Sequence, residues 1–393
     1  MVRLIAIASV HGAASGLAAG LLLVGMQTLS ALIWRDDYGP LTIVAIIMAG
    51  GLLIAVLRRF GDEHRIDAQI AALRDPISIH PRRALVVGVS AIVAVAFGGA
   101  VGPEAGLIAV VSELSVFVTK VIARSKAEQQ LVGQSGAAGG LAGLYASPPG
   151  AAVYAEEREP GISGLLLLAG LCGLAGFWLI LYLLGQGGGL RLHVPAVQSG
   201  QPGLDVISAV IPALFGVLMG VVFIAVRAGA TGLLARVTPA TWAQTLIGTV
   251  VFALLAALLP LLRFSGHDEF GAIADWAGSE GAHGLLALGL LKALACAICI
   301  ASGWRGGAIF PLMFAGAAAG ASMSVQFPGV PLAVTMASGM GAAAAIGLGR
   351  PLVAGLIVIL LAGGDTALPV LVGVLIAHGC LQLYPQLRQS AHH

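Results

Sequence analysis

Residues 98–103 read Gly98-Gly99-Ala100-Val101-Gly102-Pro103, and residues 306–311 read Gly306-Gly307-Ala308-Ile309-Phe310-Pro311. A second match follows each copy. Ser135 stands thirteen residues before Pro148 and Ser338 thirteen before Pro351, each serine followed by a glycine. The prolines of the two elements lie 45 residues apart in the first half (148 − 103) and 40 in the second (351 − 311). The chain thus resembles itself, and membrane transporters built from two such halves hold their substrate where the halves meet. A Gly-Gly pair lets backbone come close to a ligand. Proline in the first turn starts a helix whose leading N–H groups lack partners, and Pro103 and Pro311 each open such a helix. Two helix N-termini aimed at one buried spot offer free donors and positive partial charge without a full cation. Either copy alone reads as a tight loop; the ordered pair reads as an anion site.

Composition agrees with a membrane setting. Of 393 residues, 58% are hydrophobic and 10% charged, against about 25% charged in a soluble domain. The mean hydropathy is +0.98. So few charges cannot wrap a water-soluble globule, and lipid must cover much of the exterior. The net charge of +2 contains no basic cluster that points to nucleic acid. Cys172, Cys296, Cys299 and Cys380 all lie in apolar segments. Cys296 and Cys299 form a CxxC with no second pair at metal-ligand spacing, so all four read as small buried hydrophobes and no metal or other cofactor is expected.

Apolar stretches recur from 4–33 to 367–384, several shorter than the roughly 20 residues of a perpendicular span. Many are broken by Gly and Pro, which is the sequence sign of half-helices meeting inside a membrane. The expected fold class is therefore an all-α polytopic membrane protein with two inverted repeats of broken, tilted helices. The chain reads as a single transmembrane domain over 1–393, with repeat one at about 35–184, repeat two at about 205–386 and no soluble regulatory domain. Basic loops at 58–83, 120–126 and 227–236 are placed in the cytoplasm by the positive-inside rule. The acidic segment 266–282, with Asp268, Glu269, Asp275 and Glu280, then falls outside.

These residues resemble the CLC family of chloride channels and proton/chloride exchangers over most of the chain. Ala301-Ser302-Gly303-Trp304-Arg305-Gly306-Gly307-Ala308-Ile309-Phe310-Pro311 is similar to the family's third anion-binding loop. Gly136 to Glu157 resembles the helix that closes in a Glu-Glu pair, and Gly339 to Pro369 the dimer-side helices of the second half. Gly-Pro-Glu after the Gly98–Pro103 loop and Trp-Arg-Gly-Gly in the Gly306–Pro311 loop resemble a poorly characterised bacterial ion-transport branch of the family. The resemblance implies a homodimer in a bacterial plasma membrane, with one anion pathway per subunit and no enzymatic chemistry. It assigns the anion to Gly99, Ala100, Val101, Gly102, Gly307, Ala308, Ile309, Phe310 and Tyr384.

The departures matter as much. Val101 stands where the family carries its gating glutamate, and the nearest acid is Glu104. Glu104 reads either as a displaced gate or as an acid complementing the helix dipole. The family's serine-bearing first loop is absent, the matching stretch being Arg59-Phe60-Gly61-Asp62-Glu63-His64-Arg65. Tyr384 is either the pore tyrosine or an interfacial aromatic. Glu157 aligns with the inner proton-transfer glutamate, yet it also sits in a charged rim with Glu156, Arg158 and Glu159. Lys292 either snorkels or draws anions inward, and Arg305 reads as a cation attracting the anion at the second loop. The expected function is a permease for a small inorganic anion, chloride first, channel-like or proton-coupled. Fluoride or nitrate is the alternative that the missing serine keeps open. An intramembrane enzyme is the alternative of another class, and no HExxH or nucleophile–base set supports it.

Overall fold

The computed structural model describes residues 1–60, 81–156, 164–186, 192–197 and 201–392. Nearly all of this is helix. In the first half α1 spans Val2–Ile33, α2 Pro40–Leu57, α3 Pro81–Ala96, α4 Glu104–Ile122, α5 Lys126–Tyr145, α6 Pro148–Ala155 and α7 Gly164–Leu183. In the second, α8 spans Pro202–Val237, α9 Thr241–Leu258, α10 Phe270–Ser279, α11 Gly281–Ala301, α12 Ile309–Gln326 and α13 Leu332–Leu348. They are followed by α14 (Pro351–Ala362), α15 (Ala367–Leu383) and α16 (Pro385–His392). Among the described residues, nine helices are long and apolar enough to cross a membrane.

The repeated second element folds the same way in both halves. α5 stops where Ala146 turns left-handed at φ +48°, and α13 stops where Gly349 does at +63°. A proline then starts a short helix, Pro148 in α6 and Pro351 in α14. The Ser147 hydroxyl caps α6 by accepting the Gly150 N–H at 3.2 Å. Small residues set the packing around these helices. Gly12 and Gly16 of α1 press on the α7 backbone at Ala169 and Gly173, and Gly139 of α5 presses on the Gly12 backbone. In the second half Gly216 of α8 and Gly316 and Gly320 of α12 crowd Gly339 of α13. A side chain at any of these positions would collide with backbone, so the close approach requires glycine.

Two segments read as loops are not wholly loops. Residues 227–236 continue α8, whose 36 residues make it about 54 Å long, well beyond the ~30 Å hydrocarbon core. Arg227 and Arg236 therefore ride on a helix that runs out of the membrane. The acidic stretch 266–282 likewise contains α10. Sidedness follows from α1: Arg3 pairs with Glu128 at 2.8 Å, beside the basic segment 120–126. At the other end of α1, the Trp34 indole donates to the Ala96 carbonyl at 3.0 Å, next to the first loop.

Candidate anion site

The two repeated loops meet face to face. Gly102 N–H donates to the Gly307 carbonyl at 2.8 Å, and Gly307 N–H returns a bond to the Gly102 carbonyl at 3.1 Å. This antiparallel bridge is the only β-type pairing among the described residues. The loop leading to it turns at Gly98, φ +83°, a conformation that suits glycine. The bridge amends the expected donor set. The amides of Gly102 and Gly307 are spent on each other, and Val101 N–H bonds the Gly99 carbonyl at 2.8 Å. An anion cannot take those three without opening the loops. The amides of Ala308, Ile309 and Phe310, at the opening of α12, make no hydrogen bond among the described residues.

Glu104 occupies the space over the bridge. Its side chain is buried. A methyl group added to Gly102 would strike Glu104 Oε2, and one added to Gly307 would strike its Cδ. Both positions are therefore glycine for a second reason, since the carboxyl lies across them. Tyr145, the last residue of α5, donates its hydroxyl to Glu104 Oε1 at 3.3 Å. Oε2 has no hydrogen-bond partner among the described residues. A buried carboxylate oxygen left in this state is costly.

Aromatic rings connect this point to a vestibule. The Tyr145 ring lies 5.7 Å from Phe310, and the His267 ring meets Phe310 edge-on at 5.2 Å and 89°. Above them opens a cavity of about 630 Å³, with Val101, Pro103 and Phe310 in its lining and Trp34, His267 and Glu269 among its other walls. It lies at the Trp34 end of α1, opposite the basic segment, and so on the outer side by the positive-inside rule.

The remaining candidates separate. Lys292 does not snorkel: it is fully buried, and its ammonium donates to the carbonyls of Leu261, Arg263 and Phe264 at 2.9, 2.9 and 3.0 Å. It ties down the turn after α9 beneath the vestibule, and its three donors are committed there. Arg305 is buried immediately before the second loop. Tyr384 is not brought to the loops. It is 60% exposed at the end of α15, and no hydrogen bond or ring contact links it to them among the described residues. Glu157 and most of the 59–65 stretch lie outside the described residues; Glu156 ends α6. Arg58, just before that stretch, is buried and donates to Thr245 Oγ1 at 2.8 Å and the Ser302 carbonyl at 2.9 Å. It thereby fastens the C-terminus of α11 as that helix enters the second loop.

Sequence reasoning missed Tyr145 and His267. Tyr145 was detectable as the one aromatic in the Gly/Ala/Leu-rich stretch 131–147, placed at the helix break. Nothing local marks His267, which reaches Phe310 only through the tertiary fold.

A family model described as voltage gated chloride channel matches residues 45–382. YfeO of Escherichia fergusonii, whose name describes it as an ion-transport protein, is 25% identical over 357 residues, covering 85% of this chain and 83% of that one. YfeO of Shigella flexneri is 26% identical over 362 residues, with the same coverage. The fold matches the crystal structure of a slow cyanobacterial Cl−/H+ antiporter with a TM-score of 0.75 at 20% identity, over 97% of this chain and 98% of that one. It matches a CLC-type fluoride/proton antiporter with a TM-score of 0.76 at 19% identity, over 96% of each. With a family model spanning both loops, both second elements and the long helix between them, this chain belongs to the voltage gated chloride channel family and is a multi-pass permease for a small anion.

Proposed function

We propose that the pathway carries chloride and that Glu104 is its gate, standing where the anion must bind. One observation carries this reading. The Glu104 carboxyl lies across Gly102 and Gly307, where the two halves join, with one oxygen unpartnered. An ionised carboxylate and an anion cannot share that spot, because two like charges at van der Waals distance repel in a medium of low dielectric. Protonation removes the charge and the competition. The carboxyl can then swing away, and the amides of Ala308, Ile309 and Phe310 receive the anion. Lys292 and Arg305, both buried nearby in the second half, would make the interior less hostile to negative charge. Glu157 would serve the inner side, Val101 would line the outer entrance, and Tyr384 would stand away from the central site. The same reading takes the chain as a homodimer in a bacterial plasma membrane, built from repeats at about 35–184 and 205–386.

Fluoride is the second reading. It is supported by the missing serine loop and by the fold's match to a fluoride/proton antiporter. Flux of chloride, fluoride and nitrate from proteoliposomes tests both. Chloride should move fastest, with reversal potentials that follow the anion. Fluoride moving fastest would replace the chloride reading, and potentials that follow a potassium gradient would overturn anion transport altogether.

A further inference from the structure

The outer vestibule holds a titratable side chain with no assigned task. His267 packs its ring edge-on against Phe310, which lines the cavity and whose ring lies 5.7 Å from that of Tyr145. One ring nitrogen, Nδ1, is 3.0 Å from Asp268 Oδ1. The other, Nε2, is buried and has no partner among the described residues. A carboxylate on one nitrogen fixes the tautomer and the orientation of the ring. On the far side of Phe310, Tyr145 holds Glu104 Oε1 and leaves Oε2 bare. Two buried atoms without partners, a ring nitrogen and a carboxyl oxygen, thus stand at the two ends of one chain of contacts that runs from His267 through Phe310 and Tyr145 to Glu104.

We propose that His267 is the outer proton donor and acceptor for Glu104, with Phe310 as the movable partition between them. The inference rests on the gate reading given above. When Phe310 turns aside, vestibule water enters between the two groups. The Nε2–H bond breaks, the proton passes along that water, and an O–H bond forms at Glu104 Oε2. The imidazolium becomes neutral imidazole and is reloaded from the vestibule; the return trip runs in reverse. Imidazole suits this exchange because one ring carries two nitrogens, either of which can donate or accept a proton.

The charged surroundings are mixed. Asp268 and Glu269 flank the ring on its own loop, Arg263 lies on the same connection, and Lys292 approaches from α11. Among the described residues, His193 of the 192–197 segment acts on Asp268, and Asp37 of the turn after α1 acts on Arg263.

The test uses the full-length protein in proteoliposomes, with anion efflux followed as outer pH is lowered at fixed inner pH. His267→Ala should lose the acid-stimulated part of the flux by about 100-fold, the lower range for a positioned proton-transfer group. Imidazole added outside should restore it, since the cavity and the deleted ring leave room for one. His267→Asn should lose it as well. Glu104→Gln serves as the separating control. If it flattens the pH response while His267→Ala keeps the wild-type response, this inference fails and the gate reading stands. If Glu104→Gln keeps the full response, the gate reading fails and this inference with it. Loss of the response in His267→Ala without rescue by imidazole would reduce the ring to a packing role and overturn the relay.

Discussion

Gly102 and Gly307, one from each half of the chain, exchange both of their backbone hydrogen bonds at 2.8 and 3.1 Å. The two halves are therefore joined at the very residues whose repetition marks them in the sequence. The join consumes amides that would otherwise be offered to an anion, and Glu104 covers it. Opening the pathway must move the carboxyl, the bridge, or both.

Gly307→Ala should already impair transport. The added methyl meets Glu104 Cδ, so the carboxyl must leave its seat over the bridge while the methyl itself narrows the space between the two loops. Overpacking of this kind costs about 1–3 kcal/mol, and we expect flux roughly tenfold lower, with Gly307→Leu fully blocked, in protein that still elutes as the wild type does. Normal flux in a well-expressed Gly307→Leu variant would remove the loop pair from the pathway.

Tyr145→Phe keeps the ring beside Phe310 and deletes one donor to Glu104. A hydrogen bond to a charged acceptor is worth about 1.5–3 kcal/mol, so the seated carboxylate loses its hold. Flux near neutral pH should rise about tenfold. A fall at every pH would instead make the hydroxyl part of the conducting path.

Lys292→Met strands three carbonyls, those of Leu261, Arg263 and Phe264. We expect a loss of about 3 kcal/mol, allowing near 1 kcal/mol for each stranded group, read as a lower Tm in detergent. An unchanged Tm with reduced flux would assign Lys292 to electrostatic attraction alone.

The vestibule acids should pull stability in opposite directions with pH. Burial, opposed by the charge of Lys292, holds the Glu269 carboxyl above the usual range. Its contribution is best below the unfolded value and is lost as pH rises through the folded one. The hydrogen bond from His267 holds Asp268 below the usual range, despite some burial. That contribution is present above the ordinary carboxylate value and fades as pH falls through the folded one. Glu269→Gln should therefore raise Tm at about pH 8 and lose the advantage toward about pH 4. Asp268→Asn should lower Tm at the same high pH and converge with the wild type on acidification. Matching shifts of one sign in both variants would contradict these assignments.

What the sequence disclosed, and what it hid, divides by distance along the chain. The membrane class and the broken helices followed from local patterns: Gly and Pro at fixed offsets, apolar runs too short to span, charges gathered between them. Ala146 and Gly349 turn left-handed where the Pro148 and Pro351 repeats require a break. The long α8 was hidden, because Arg227 and Arg236 resembled loop charge when they ride on a helix leaving the membrane. The bridge was hidden too, since its partners are some two hundred residues apart and a glycine's pairing leaves no local mark. Glu104 was visible as a candidate, but only the fold places its carboxyl over Gly307. Tyr384, which the sequence left between a pore tyrosine and an interfacial aromatic, is exposed at the end of α15, whereas Tyr145 lies beside the loops.

The most direct measurement is anion efflux from proteoliposomes across outer pH, comparing wild type with Glu104→Gln. If the ionised Glu104 carboxylate closes the path, wild-type flux climbs as pH falls. The glutamine variant should run at the acid-stimulated rate throughout and with little pH response. A Glu104→Gln variant that retains the wild-type pH profile, with only a lower Tm, would make Glu104 a helix-capping acid and contradict the account.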